Sequence, residues 1–208
     1  MKKITVVYVA LVFAVLAITS CQFLKDVATT VNNLQRLKYK INNVNNFTMG
    51  GMDISNKKTV SDFSVTDGLK LAMALKSGQL PTTFTINVDA MNPNDGTNST
   101  IQTAATISSL PWDLYIDNKL IVSGNISKEI SVPGTGKSVT IPLQVNVDLV
   151  QLYKNEGVDK IMNVALALGG KNKSAANIKI ITQPSVRTAI GVIQYPSKIT
   201  IVDKSWSE

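Results

Sequence analysis

The sequence predicts a mainly β fold, an antiparallel β-sandwich of roughly seven strands with one to three short helices. Three observations predict it. Apolar residues recur with period two in successive runs, as in Phe84, Ile86, Val88 and Ala90 against Thr85, Asn87 and Asp89, and such alternation marks half-buried strands. Turn chemistry punctuates the runs, as in Asn92-Pro93-Asn94-Asp95-Gly96. Only a few segments show helical spacing instead.

The chain opens on a different signal. Met1-Lys2-Lys3 is a short positive region, and Ile4 to Ile18 is an almost unbroken apolar run. A membrane-spanning helix needs about 20 apolar residues, so this run fits the hydrophobic region of a secretory signal peptide. It ends in Ile18-Thr19-Ser20-Cys21, which resembles the lipobox of bacterial lipoprotein precursors: an aliphatic residue, two small ones, then cysteine. Small side chains let the extended backbone enter a peptidase, and only the thiol can carry a diacylglyceryl thioether. Cys21 is the chain's one cysteine, and its place directly after the apolar run argues against a buried structural thiol. The expected organisation is a signal peptide over 1–20, a lipidated N-terminus and tether over 21–34, and one sandwich domain over 35–208. One acyl chain binds a membrane only marginally, at about 0.8 kcal/mol per buried methylene. Lipoproteins of this class carry more than one chain, so the resemblance implies stable anchoring through Cys21. Gln22 stands where an inner-membrane retention signal of the enterobacterial type would have aspartate, which points to the outer membrane.

Strands follow in order. Leu37, Tyr39 and Ile41 alternate with Lys38, Lys40 and Asn42. After Phe84–Ala90 come Ile101, Thr103, Ala105 and Ile107, then Trp112, Leu114 and Ile116. Asp117-Asn118-Lys119 reads as a tight hairpin. Val139, Ile141, Leu143, Val145 and Val147 form a further strand; Pro142 lacks a backbone donor, which places it on an edge or turned outward. Ile178 with Ile180, and Ile199 with Ile201, supply the last strands. Thr66 to Lys76 reads as a helix capped by Thr66 or Asp67 despite Gly68. Asp148 to Asn155 reads as a helical turn. Val158, Ile161, Met162, Ala165 and Leu166 sit at helical spacing, with Gly169-Gly170 as the stop.

Composition excludes several chemistries. The chain has no histidine, which removes Ser-His-Asp and Cys-His nucleophiles, imidazole bases and His-containing zinc sites. The acids are spread singly; the four-residue spacing of Asp113 and Asp117 would allow one strand face, but they read as solvent-facing strand and turn residues. Gly134-Thr135-Gly136-Lys137-Ser138 imitates the end of a phosphate-binding loop, yet Ser131 stands where the pattern requires its first glycine, and a strand follows rather than a helix. It reads as a strand-to-strand turn. The net charge is +7 and falls by two without Lys2 and Lys3. Its lysines are scattered (Lys38 and Lys40, Lys57 and Lys58, Lys171 and Lys173) and aromatics are 6% of the chain, so no nucleic-acid partner is expected. Attraction to anionic headgroups is the residual reading of the basic balance. The Asn-X-Ser/Thr triplets at Asn46, Asn98, Asn125 and Asn172 read as polar loops.

From Phe84 to Val147 the chain resembles the late embryogenesis abundant type 2 domain, also known from water-stress and hypersensitive-response proteins. The strand from Thr85 runs into Asn92-Pro93-Asn94, like that family's Asn-Pro-Asn loop. Leu114 to Lys119 runs into Ser123-Gly124, like its hairpin ending in glycine. Ile130 to Gly134 followed by Ser138 to Val147 matches its loop before a strand of alternating aliphatics. The resemblance covers about a third of the chain; the helical stretch from Asp148 to Leu168 departs from a minimal domain. It implies an immunoglobulin- or fibronectin III-like sandwich, with no cofactor, no metal and no catalytic residue. It also implies protection of membranes or proteins under desiccation and related stress. At 44% hydrophobic, this chain is expected to fold. Two other roles stay open: a lipid-binding or lipid-transfer module, with helices near Leu69 and Ile161 gating an elongated apolar groove, and an adhesion or assembly module pairing through an edge strand. The expected partners are membrane lipid through acylated Cys21 and, in those two readings, a lipid ligand or envelope proteins.

Overall fold

The computed structural model describes residues 37–97, 102–169, 178–188 and 191–202, with Lys25, Ala28 and Ser207. Its strands are β1 (Lys38–Met49), β2 (Met52–Asp53), β3 (Pro81–Met91), β4 (Ala105–Ser109), β5 (Trp112–Ile116), β6 (Lys119–Gly124), β7 (Ile130–Val132), β8 (Ser138–Asp148), β9 (Ile178–Thr182), β10 (Ser185–Thr188), β11 (Gly191–Gln194) and β12 (Ile199–Val202). A 3-10 turn at Val60–Asp62 precedes helix α1 (Val65–Ser77); α2 (Leu149–Tyr153) and α3 (Gly157–Gly169) follow β8. The fold is mainly β, as expected, with short helices.

One sheet has the order β2-β1-β3-β8, all antiparallel. Period two decides its faces. Phe84, Ile86, Val88 and Ala90 of β3, with Ile141, Leu143 and Val145 of β8, are buried, while Thr83, Ser138, Thr140, Pro142 and Gln144 face solvent. β1 keeps its phase through two irregularities, between Ile41 and Asn43 and between Asn45 and Thr48. A one-residue slip turns every side chain to the other face; the two slips run in the same direction and add to two residues, which restores the face, so Tyr39 and Ile41 at one end and Phe47 and Met49 at the other all point inward. The Phe47 and Phe84 rings stack at 4.9 Å. β8 is an edge, with Pro142 exposed on it, as the missing donor required.

The other two sheets, β11-β10-β4-β7 and β12-β9-β5-β6, are the halves of one bent layer. β4 gives way to β5 at Leu110-Pro111, and β9 to β10 at Gln183-Pro184. Trp112 pairs with Thr182, and three residues along each strand Ser109 pairs with Ser185, so the register carries through the break. Proline cannot donate to a ladder, and side chains replace the lost bonds: the Thr182 hydroxyl donates to Pro111 O at 2.7 Å, and the Leu110 N–H donates to Asn125 Oδ1 at 2.8 Å. This explains why roughly seven strands were expected and twelve are found among the described residues. β1, β3 and β8 with four broken strands make seven; β2 is a stub.

A single core lies between the layers, joining Tyr39, Phe84 and Leu143 to Ile107, Trp112, Leu114, Ile180 and Ile201. α3 closes it against β1, burying Ile161, Met162, Val164, Ala165 and Leu168; Val158, expected on the same face, is exposed. α2 is capped by Asp148, whose carboxylate accepts from Val150 N and Gln151 N. α1 starts earlier than expected. Its cap is Ser64, not Thr66 or Asp67: the Ser64 hydroxyl accepts from Asp67 N at 3.1 Å and the Asp67 carboxylate accepts from Ser64 N at 3.0 Å. Ser-Val-Thr-Asp places an acid three residues after the hydroxyl, which is the reciprocal capping box. Gly169 ends α3 as expected; Gly170 lies outside the described residues.

Candidate functional site

The carboxylates are held by neighbours rather than gathered. Asp113 accepts from the Ser123 hydroxyl at 2.6 Å on β6, and Asp117 pairs with Lys160 of α3 at 3.2 Å, so the two acids of that strand and turn serve different contacts. Asp53, Asp62 and Asp95 lie below the usual carboxylate range because local groups donate to them, from Ser55, from Lys58 and Thr59, and from Thr97 respectively. Arg187 of β10 grips Glu129 through both its Nε and Nη2. Among the described residues, no group of three or more acids could hold a metal ion.

The β5–β6 hairpin docks on the helical corner. Asp117 and Asn118 have φ of 50° and 65°, the left-handed pair that a tight hairpin requires. Next to them, Lys119 donates to Leu152 O at 2.5 Å and to Glu156 at 2.9 Å, and its ammonium lies 4.3 Å from the centre of the Tyr153 ring. Burial, helped by the charges of Glu156 and Asp117, pushes the Tyr153 phenol up to about 12. That phenol stays protonated at neutral pH and has a packing role.

The Asn92-Pro93-Asn94 loop is a structural pin. Asn92 Nδ2 donates to Thr103 O at 2.7 Å and reaches Val132 O at 3.4 Å, while Asn92 Oδ1 accepts from Asn94 N and from Asn94 Nδ2. Gly136 N donates to Asn92 O at 3.2 Å. Both asparagines are buried, where such bonds are obligatory. A Cβ on Gly134 would stand 2.5 Å from Asn94 O and 2.6 Å from Thr103 O, so the phosphate-loop look-alike is glycine-rich to let three backbone segments meet. It joins β7 to β8, as its reading as a strand-to-strand turn required.

Two surfaces bear on the expected groove gated by helices near Leu69 and Ile161. Residues Asn125–Lys128 and Ile130, at the break between β6 and β7, face Pro142–Gln144 of edge strand β8 across a cavity of about 320 Å³. Its walls mix polar and apolar groups and include no helix residue. α1 is the second surface. It buries no residue; Leu71, Ala74 and Leu75 pack partly against the core, while Val65, Leu69 and Met73 are 85%, 61% and 64% exposed. The helical period was legible; which of its two apolar stripes faces the core was not.

Cys21, the one residue assigned a chemical role, lies outside the described residues, as do the apolar run before it and all of the tether but Lys25 and Ala28. Asn98, Ile101, Lys171, Asn172 and Lys173 lie outside them too. Among the described residues no helix is long and apolar enough to cross a membrane.

No family model matches the chain, and no curated protein matches it. Two solved structures are similar to it. A crystal structure of a protein from Archaeoglobus fulgidus is 10% identical, covers 60% of this chain and 87% of its own, and has a TM-score of 0.31. A solution structure of a protein from Arabidopsis thaliana is 12% identical, covers 58% of this chain and 70% of its own, and has a TM-score of 0.32.

Proposed function

We propose that the chain is a membrane-anchored, non-enzymatic lipoprotein of the bacterial envelope, tethered to the outer membrane by acylated Cys21. Its sandwich, similar to late embryogenesis abundant type 2 domains, protects membrane or protein under stress such as drying. The observation that carries the reading is the junction of the Ile4–Ile18 apolar run with Ile18-Thr19-Ser20-Cys21. The asparagine pin supports the second half: it draws the loop after β3, residue 103 and the β7–β8 turn together, so motif segments separated in sequence meet in space. Carboxylates engaged in caps, turns and ion pairs fit a binding or protective module better than acid–base catalysis.

Cys21→Ser tests the anchor. The variant is expected to leave the membrane fraction for the soluble one and to lose incorporation of labelled fatty acid; unchanged fractionation sinks the anchoring. Protection is tested by drying and rehydrating dye-loaded vesicles with the protein present. Leakage equal to that with an inert protein refutes the protective role. The second reading, lipid binding, called for an apolar groove beside the helices, and the cavity beside β8 has mixed walls and no helix residue; native mass spectrometry of the detergent-free protein decides that reading by the presence or absence of a stoichiometric lipid.

A further inference from the structure

We infer that α1 is an interfacial helix, lying in the headgroup region of an anionic bilayer with its solvent-facing stripe inserted. The inference rests on the tethered reading above and adds a specific second contact. Successive residues of a helix are turned by about 100°. Val65, Leu69, Ala72 and Met73 therefore share one face, and all four are exposed. A helix on a soluble domain ordinarily turns such residues to the core and its charges outward. α1 has a second, partly packed stripe of Leu71, Ala74 and Leu75 for the core, which leaves the first without a packing partner among the described residues.

Charge indicates what covers it. Lys76 lies within the exposed apolar face and Lys70 beside it, both exposed. The one carboxylate of α1, Asp67, is turned away, bonded to Ser64 N and to Lys57 at 3.1 Å. An outward surface that is apolar and cationic, with its only acid withdrawn, complements anionic lipid. Lysines near such a membrane each strengthen attraction about fivefold, and long lysine side chains keep their ammonium at headgroup level while the stem lies along apolar surface. The short stripe is matched to shallow insertion rather than spanning.

The test uses the full lipidated chain in vesicles of phosphatidylcholine, with and without phosphatidylglycerol. An acylated Cys21 leaves no free thiol, so Ala72→Cys and, as control on the outer face of β8 away from the cavity, Ser138→Cys each take a single environment-sensitive fluorophore. The expected result is a blue shift and quenching by lipid-borne quenchers at position 72 in the anionic vesicles. That signal should be reduced in Lys70→Glu/Lys76→Glu and absent at position 138. Equal water exposure at both positions, in protein that floats with the vesicles, overturns the helix contact and leaves the tether standing. A parent chain that takes up label at Cys21 and fails to float overturns the tether, and the helix contact with it.

Discussion

Trp112 and Gly124 face each other across the β5–β6 ladder, and the pair yields a quantitative prediction. A Cβ built on Gly124 would lie 2.3 Å from Trp112 Cζ2, 2.6 Å from Cε2 and 2.9 Å from Cη2. Carbon atoms rest at about 3.5–4.0 Å, so Gly124→Ala must drive the indole aside by more than about 1 Å. The ring is 4% exposed inside the single core, and it has nowhere to go without disturbing Leu114 and its neighbours or entering water. Overpacking of this kind costs about 1–3 kcal/mol, and the reduced freedom of the unfolded chain offsets about 0.4–1 kcal/mol of it. The net loss of about 1–2 kcal/mol corresponds to a Tm lower by about 2–8 °C at this chain length. Thermal unfolding followed by circular dichroism reads it directly. Gly68→Ala is the opposite control, because nothing lies within 4 Å of a Cβ at that position in α1, and alanine in an exposed helix adds about 0.5–1 kcal/mol. A Tm for Gly124→Ala equal to or above the parent's refutes the packing argument; a fall for Gly68→Ala refutes the account of α1 as an exposed helix.

Two further predictions concern the cap and the pin. Ser64 N–H first, and then Lys57, hold the Asp67 carboxyl down at about 2. A lowered carboxyl pKa gives stabilisation that is complete above the unfolded value near 4 and is lost as pH falls through about 2. Helicity of α1, read from amide chemical shifts of residues 65–72, is expected to fall over that window in the parent and to be flat in Asp67→Asn; identical titrations contradict the capping box. Asn92→Ala strands the carbonyls that Asn92 Nδ2 serves at Thr103 and Val132 and is expected to cost about 1–3 kcal/mol. Urea unfolding measures it, and a midpoint unchanged from the parent means the loops hold without the pin.

Local physics was legible in the residues, and of the candidate site the sequence offered one local pattern, at Cys21, which lies outside the described residues. Alternation in Phe84–Ala90 and Val139–Val147, the hairpin at Asp117-Asn118, the helical spacing of Ile161–Leu166 and the outward Pro142 each follow from a few neighbouring residues. The resemblance of Ile18-Thr19-Ser20-Cys21 to a lipobox is likewise a local pattern. The Ser64 cap was also local, and was missed because the spacing of apolar residues drew the start of the helix to Thr66. The bend that splits one layer at Pro111 and Pro184 needed more, since a proline shows that the ladder breaks but not which distant side chains serve the groups left over; here Asn125 Oδ1 accepts from Leu110 N and the Thr182 hydroxyl donates to Pro111 O. The α1 surface needed most. Periodicity places two apolar stripes on that helix, at Val65-Leu69-Ala72-Met73 and at Leu71-Ala74-Leu75, with equal claim to the core. By itself the sequence determined the strands, turns, helices and their sidedness wherever one face was apolar. The tertiary structure decided which strands pair, where the layer bends and which stripe of α1 is left outside, because those outcomes depend on contacts between residues far apart in the chain that no local pattern encodes.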